Sequence, residues 1–201
     1  MSLEETFDKT IRVASDLFMR SHVTGSGGNI SFRDGDTIYI TKSGTSFGHL
    51  RKDDFARVDI EGTILEGKPS KELPFHLDLY HADHATKAVI HTHGFHMTAL
   101  SCLKDCGDIV DDLMSYTPYL KMQSGGKIAV VEYGSPGSKE LFANFKSVIA
   151  PDTKVYLMRN HGATVAANDV EKAFNLIEEF ETTCRLYLML QAFPKEDIAH
   201  I

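Results

Sequence analysis

The sequence predicts an α/β domain with a layered architecture and a largely antiparallel or mixed sheet. Two tight-turn signals, Asp34-Gly-Asp36 and Glu61-Gly62, stand between short strand-like segments and indicate β-hairpins. Other segments show apolar residues at helical spacing. Hairpins interspersed with helices are typical of α/β layered folds. The length of 201 residues suits a single domain over residues 1–201, large enough to bury a sizeable core.

The N-terminal third is predicted to contain one helix and four strands. The helix is predicted from apolar residues at helical spacing, which are Phe7, Ile11, Ala14 and Phe18. It should end before the glycine-rich segment at residues 25–28. The strands that flank the two turns are predicted at residues 30–33, 37–41, 58–60 and 63–65.

The middle of the chain is predicted to contain regular elements and then an irregular segment. Apolar patterns predict two helices, at residues 73–84 and 98–103, and one strand at residues 87–93. Residues 108–126 are predicted to be loop or irregular structure, because Pro118 and the Gly125-Gly126 pair interrupt any period. Function often resides in such segments.

The C-terminal part is predicted to alternate strand and helix. Strands are predicted at residues 128–132 and 155–158, and helices at residues 138–149 and 170–184. Asn168 and Glu171 resemble a capping box at the start of the closing helix.

Composition and charge exclude several classes of protein. The formal net charge of -7 argues against a general nucleic-acid binder, which needs a basic surface. Cys102, Cys106 and Cys184 form no Cys-x-x-Cys pair and are predicted to be small buried hydrophobes in a reducing compartment. The N-terminus lacks the pattern of a signal peptide, and no apolar stretch approaches the roughly 20 residues that span a bilayer. We therefore expect a soluble cytoplasmic protein.

Three histidines are candidate metal ligands. His91 and His93 are two apart on the predicted strand, so their side chains should share one face. His161 follows a second apolar run and precedes Gly162, which allows a sharp exit of the backbone. Three neutral imidazoles leave a fourth zinc position open for water or substrate. The alternative is a set of structural strand and turn histidines bonded to neighbouring carbonyl groups.

An acidic residue and four further histidines complete the titratable candidates. Glu72 opens a predicted helix, where a carboxylate is favoured by the helix dipole alone. It could instead lie close to the metal and transfer a proton. The remaining histidines of this region are predicted to be structural or surface residues, and they are His76, His81, His84 and His96.

Three turns rich in small residues indicate an anion site. They lie at residues 25–31, 41–45 and 68–72. Backbone N–H groups approach phosphate oxygens closely where side chains are small. The first turn is not a dinucleotide fingerprint, because Ile30 stands where the last glycine is needed. The alternative is that the turns are ordinary and that Lys68 and Lys71 are solvated surface lysines.

Five segments together resemble the class II aldolase and adducin head domain family. They are Gly25-Ser-Gly-Gly-Asn29, Thr41-Lys-Ser-Gly44, Pro69-Ser-Lys-Glu72, His91-Thr-His93 and Asn160-His-Gly162, and the resemblance extends over about residues 7–190. The family implies a three-layer α/β/α fold. It also implies one zinc ion per subunit, with another divalent metal as the alternative, on His91, His93 and His161, and Glu72 as the acid/base residue.

The resemblance further implies a phosphate site and an assembly. The residues around the substrate phosphate would be Ser26, Asn29, Ser43, Gly44 and Ser70. Members are commonly homotetramers with active sites at subunit contacts. In the aldolases a tyrosine lies six residues before a Gly-Gly pair, as Tyr119 does here, which suggests a proton donor offered to a neighbouring subunit. The alternative is a packed loop tyrosine. A tyrosine in the longer C-terminal tail of the fuculose phosphate aldolases has no counterpart.

Within the family, three segments are similar to those of the 3-oxo-tetronate 4-phosphate decarboxylases, and they are residues 69–72, 98–102 and 117–119. Lys71 replaces a serine common in the aldolases and could add a charge for a more anionic substrate. The resulting hypothesis is a zinc-dependent carbon–carbon lyase of a small phosphorylated keto acid, acting through a metal-stabilised enediolate. The alternatives are a sugar-phosphate aldolase, a ribulose-phosphate 4-epimerase and a non-catalytic adducin-like binding module.

Overall fold

The computed structural model describes residues 2–201, which contain eight strands and seven α-helices. The strands are β1 (Asn29–Asp34), β2 (Thr37–Thr41), β3 (Phe55–Asp59), β4 (Ile64–Glu66), β5 (Ala88–Thr92), β6 (Ile128–Val131), β7 (Val155–Met158) and β8 (Gly162–Ala167). The helices are α1 (Leu3–Met19), α2 (Leu73–Ala82), α3 (Phe95–Ser101), α4 (Cys106–Asp112), α5 (Pro118–Ser124), α6 (Lys139–Ser147) and α7 (Val170–Leu190). None of these described helices is both long and apolar enough to cross a membrane.

The strands form one mixed sheet in the order β4-β3-β2-β1-β5-β8-β7-β6. Every neighbouring pair is antiparallel except β6 and β7, which are parallel. The β1–β2 hairpin turns at Gly35, whose φ of 58° suits a residue without a Cβ. The prediction of a largely antiparallel or mixed sheet is therefore confirmed.

Helices cover both faces of the sheet, because successive strand residues alternate between two apolar cores. On β5, Ile90 belongs to a core shared with α1, α3 and α7, whereas Val89 belongs to a core shared with α2 and α6. The α1/α7 core contains Leu17 and Phe180, and the α2/α6 core contains Phe75. These three layers agree with the predicted α/β/α architecture.

Residues 108–126 are helical, so the prediction of an irregular segment there is wrong. They contain most of α4, a short 3-10 turn and α5. Pro118 stands in the first turn of α5, where its missing N–H costs nothing. Gly125 ends the same helix with a φ of 81°. The two residues that suggest irregularity in the sequence therefore act as helix boundaries.

Strand β8 and the start of α7 also differ from the predictions. β8 lies outside the predicted strands, because its small residues Gly-Ala-Thr-Val-Ala-Ala give only a weak strand pattern. Asp169, not Asn168, caps α7, and its carboxylate accepts a hydrogen bond from the Glu171 N–H at 2.8 Å. Helix α3 begins at Phe95, three residues before its predicted start.

The cysteine prediction is correct for two residues of the three. Cys106 and Cys184 are buried, and burial raises the pKa of both thiols. Cys102 is exposed, because it is the residue that ends α3 at the surface.

Candidate active site

The predicted metal ligands meet at one end of the sheet. His91 lies in β5 opposite Asn29 of β1, and His93 follows directly after β5. His161 lies in the three-residue turn between β7 and β8, in which Asn160 has a positive φ of 54°. Glu72 immediately precedes α2. Four side chains from distant parts of the chain therefore lie together at the same end of the central strands.

The three imidazoles form a compact cluster. His91 Nε2 lies 2.9 Å from His93 Nε2, and the available ligand atoms of His91, His93 and His161 all lie within 4.8 Å of one another. His91 Nδ1 lies 3.0 Å from the carbonyl oxygen of Ala163. Since a carbonyl oxygen only accepts, Nδ1 donates and the lone pair of a neutral ring is on Nε2. The free lone pair of His91 therefore faces the other two rings.

Glu72 contacts this cluster through both carboxylate oxygens. Oε1 lies 3.6 Å from His161 Nε2, and Oε2 lies 3.5 Å from His91 Nε2. The Glu72 side chain is only 6% exposed, and it makes no capping hydrogen bond to α2. The carboxylate is therefore directed at the imidazoles, as the proton-transfer alternative requires.

Burial favours the neutral form of all three rings. It lowers the pKa of His91 well below the usual value and, together with the Lys71 charge, lowers the pKa of His93. Burial also lowers the pKa of His161 against the opposing effect of Glu72. Neutral imidazole is the form that binds a metal ion. Three such nitrogens beside one carboxylate fit the ligand chemistry of a catalytic zinc site.

A cavity of about 360 Å³ opens beside the cluster. Its lining includes every residue that the sequence assigns to phosphate binding, together with three of the titratable residues, and these are Ser26, Asn29, Ser43, Gly44, Ser70, Lys71, Glu72, His93 and His161. Gly28 also lines it, and a Cβ at that position would lie 2.7 Å from the His91 carbonyl oxygen. The glycine-rich turn therefore packs against the histidine strand while its small residues line the cavity.

Asn29 differs in surroundings from the other predicted phosphate residues. It is 3% exposed, and its amide already has a partner at each end. Nδ2 donates to Glu72 Oε2 at 2.8 Å, and Oδ1 lies 2.5 Å from His76 Nε2. A side-chain contact with phosphate would have to compete with these two contacts.

His76, Ser31 and Tyr80 lie beside the site, although the sequence motifs assign none of them to it. Glu72, His76 and Tyr80 are spaced four apart, which places them along one face of α2. The four-residue spacing from Glu72 is the sequence signal that could have indicated that His76 and Tyr80 lie beside the site. Ser31 faces them from β1, two residues after Asn29 and on the same side of the strand.

Tyr119 lies apart from these residues. It belongs to α5, is 59% exposed and is not part of the cavity lining. A larger cavity of about 570 Å³ lies at the opposite end of the sheet, where Thr86 precedes β5 and Asn168 follows β8. It has no histidine in its lining. The titratable groups therefore converge at the smaller cavity and not at the larger one.

The buried His76 ring predicts a specific dependence of stability on pH. Burial lowers the pKa of His76 from 6.5 to about 3. Because the unfolded chain takes up this proton at higher pH than the folded protein, the stabilising contribution is complete above about pH 6.5 and declines toward pH 3, by up to about 1.4 kcal/mol per pH unit. In denaturant titrations from about pH 7 to about pH 4, the free energy of unfolding of His76→Gln should fall less steeply than that of the wild type. Equal slopes would contradict this assignment.

Comparisons with known proteins agree on one family. Residues 8–188 match the Class II Aldolase and Adducin N-terminal domain. A 3-oxo-tetronate 4-phosphate decarboxylase from Pectobacterium atrosepticum is 36% identical over 182 residues, or 90% of this chain and 82% of that protein. An L-fuculose phosphate aldolase from Methanococcus maripaludis is 38% identical over 180 residues, or 89% and 94%. The structure of YgbL from Escherichia coli superposes with a TM-score of 0.86 at 33% identity, over 96% of this chain and 92% of that chain.

Proposed function

Because the chain belongs to the class II aldolase and adducin family, we propose that this lyase is a zinc-dependent 3-oxo-tetronate 4-phosphate decarboxylase. The observation that carries the proposal is the meeting of three neutral imidazoles and Glu72 beside a cavity lined by small polar residues and glycines. Decarboxylases and aldolases both occur among the relatives, so the choice between them depends on the group that leaves the substrate.

The proposed reaction breaks the bond between the carboxylate carbon and its neighbour. Carbon dioxide leaves, the electron pair remains on the substrate as an enediolate, and a proton then adds to carbon. A zinc ion held by His91, His93 and His161 would supply positive charge that stabilises the negative charge on the substrate oxygens. The residues of the cavity bind the phosphate and so hold the reacting carbons in place beside Glu72.

Glu72 is the proposed proton-transfer residue. Its carboxylate is buried and lies against two of the three imidazoles, within the cavity lining. A carboxylate in that position can deliver a proton to the enediolate carbon and recover it from water. Tyr119, which is exposed on α5, would act only in the active site of a neighbouring subunit. That role depends on the homotetramer that the family resemblance suggests.

Lys71 is the proposed determinant for the substrate carboxylate. It lines the same cavity as His93 and His161, and its charge lowers the pKa of both imidazoles. A Cβ on Gly137 would lie 2.8 Å from Lys71 Cδ, so the lysine stem lies against the loop before α6. The substrate of a decarboxylase carries a carboxylate where the substrate of an aldolase carries an uncharged group. A cation at this position therefore favours the keto acid.

The Lys71→Ser variant should lose keto-acid turnover selectively. A hydrogen bond to a charged group contributes about 1.5–3 kcal/mol, so kcat/KM for the keto acid should fall about 10-fold to 100-fold. Lys68→Ser is the matched control, since Lys68 is an exposed lysine of the same turn outside the cavity lining. Steady-state kinetics of the two variants measure the difference. Unchanged turnover in Lys71→Ser would remove the proposed role.

One assay tests the proposed function directly. Metal-loaded enzyme is offered 3-oxo-tetronate 4-phosphates and, separately, ketose 1-phosphates, while carbon dioxide and aldehyde are monitored. We expect carbon dioxide from the keto acid and no aldehyde from the ketose. Aldehyde without carbon dioxide would establish the second candidate, a sugar-phosphate aldolase, which the relative from Methanococcus maripaludis favours. Inversion of a ketose phosphate without cleavage would indicate an epimerase. Purified protein that binds no zinc-class metal and turns over neither substrate would indicate a binding module.

A further inference from the structure

Five buried polar side chains form a continuous chain of hydrogen bonds that ends at Glu72. The Tyr80 hydroxyl lies 2.8 Å from Ser31 Oγ, which lies 2.7 Å from His76 Nδ1. His76 Nε2 lies 2.5 Å from Asn29 Oδ1, and Asn29 Nδ2 donates to Glu72 Oε2 at 2.8 Å. Each of the five residues is at most 4% exposed. We call this set the buried relay.

The carboxylate at one end determines the direction of every bond in the buried relay. An ionised Glu72 only accepts, so the amide of Asn29 must present its NH₂ group to it. The carbonyl oxygen of Asn29 then faces His76 and requires a donor, which makes Nε2 the protonated nitrogen. In a neutral ring Nδ1 then accepts from Ser31, which in turn accepts from Tyr80. Each of these contacts has one donor and one acceptor in this direction.

His76 supports this direction from the other side of Asn29. The terminal torsion of an asparagine has two nearly equivalent orientations, related by a flip of the amide. Glu72 selects one orientation from the NH₂ side, but without His76 the amide oxygen of Asn29 has no donor in the buried relay to hold that orientation from the other side. The flipped amide would place its oxygen against the carboxylate and repel it. Glu72 would then lose a hydrogen bond that holds it beside His91 and His161.

We propose that His76 is a positioning residue, which acts through Asn29 to hold the Glu72 carboxylate in the orientation needed for proton transfer. The inference rests on the proposed function, in which Glu72 transfers the proton. His76 itself touches neither the cavity nor the three clustered histidines through a hydrogen bond. Its effect should therefore appear in the rate of the chemical step and not in the binding of substrate or metal.

Two amide substitutions separate positioning from simple packing. The amide of glutamine reaches the place of Nε2 and can donate to Asn29, whereas that of asparagine reaches only the place of Nδ1 and the Ser31 side. We expect His76→Gln to retain kcat within about 5-fold and His76→Asn to lose about 10-fold to 100-fold, the range typical of residues that orient a ligand or catalytic group. KM and the bound-metal content should change less than about 2-fold in both variants.

The thermal unfolding midpoint of each variant identifies a purely structural effect. If His76 only fills space, both variants lose stability while their kcat values remain equal to each other and close to wild type. That pattern would overturn the proposal. An equal loss of kcat in the two variants would also overturn it, because the Nε2 donor would then be irrelevant.

A measurement without substrate keeps the inference separate from the proposed function. Nitrogen-15 NMR of imidazole-labelled wild-type protein reports which ring nitrogen of His76 carries the proton, and the signal is assigned by its loss in His76→Gln. We expect the neutral tautomer with the proton on Nε2. The opposite tautomer would reverse the buried relay and overturn the inference even if the enzyme is active. If the expected tautomer is found in a protein that turns over neither substrate, the proposed function fails while the hydrogen-bond direction stands.

Discussion

Replacement of His93 with alanine is expected to remove the bound metal and to lower turnover by about 10³-fold or more, since the ion supplies several kcal/mol of charge stabilisation. His93 Nε2 lies 2.9 Å from His91 Nε2, so the variant leaves two imidazoles where three converge. Two neutral nitrogens bind zinc much more weakly than three. Elemental analysis of the purified variant, together with its steady-state kinetics, measures both effects.

His84→Ala is the matched control for that experiment. His84 is an exposed histidine just beyond α2 and lies outside the cluster of three. Its removal should leave metal content and turnover unchanged, which excludes a general loss of metal through histidine removal. A His93→Ala protein that keeps one metal ion per chain and normal turnover would show that the clustered imidazoles are structural.

Local signals in the sequence predicted the parts of the fold that depend on neighbouring residues. The β1–β2 hairpin follows from a turn with glycine at a positive φ, and α1 follows from a single apolar face. The prediction for residues 108–126 is wrong because it treats Pro118 and Gly125 as interruptions of regular structure. They are the two ends of a seven-residue helix that is too short to show a convincing period.

Strand β8 could not be predicted from its own residues for a different reason. It is buried between β5 and β7, so its alternation of inward and outward residues is hidden. Small residues such as Ala163 and Ala166 carry little strand preference of their own. Its position depends on pairing with strands that are distant in the sequence, and that information is not local.

Some parts of the candidate site can likewise be predicted from local sequence, whereas others require contacts between distant residues. Strand geometry predicts that the side chains of His91 and His93 share one face. The distance of 2.9 Å between their Nε2 atoms agrees with that prediction. The approach of His161 and Glu72 follows only from the resemblance to the family, because nearly 90 residues separate them. The buried relay could not be predicted without the sheet register. That register places Asn29 opposite His91 and turns Ser31 toward α2.

Replacement of Glu72 with glutamine is expected to lower kcat by about 10²-fold to 10⁴-fold, the usual cost of removing a positioned acid/base group. The glutamine amide keeps the size of the side chain, and its oxygen can still accept from Asn29 Nδ2. It cannot carry a proton to and from the substrate. Because the three imidazoles remain, metal content should be unchanged, and KM should change little. Kinetics and elemental analysis of the same preparation measure these quantities.

Glu66→Gln is the control for the change of charge, since Glu66 is exposed on β4 at the edge of the sheet. A loss of metal in Glu72→Gln would mean that the carboxylate is needed to hold the ion, which would make it a ligand. A normal kcat would transfer the proton step to another group, and the exposed Tyr119, acting across the proposed homotetramer, would then be the next candidate. Loss of kcat with full metal content is the result that assigns the proton to Glu72, because only that residue has changed its ability to ionise.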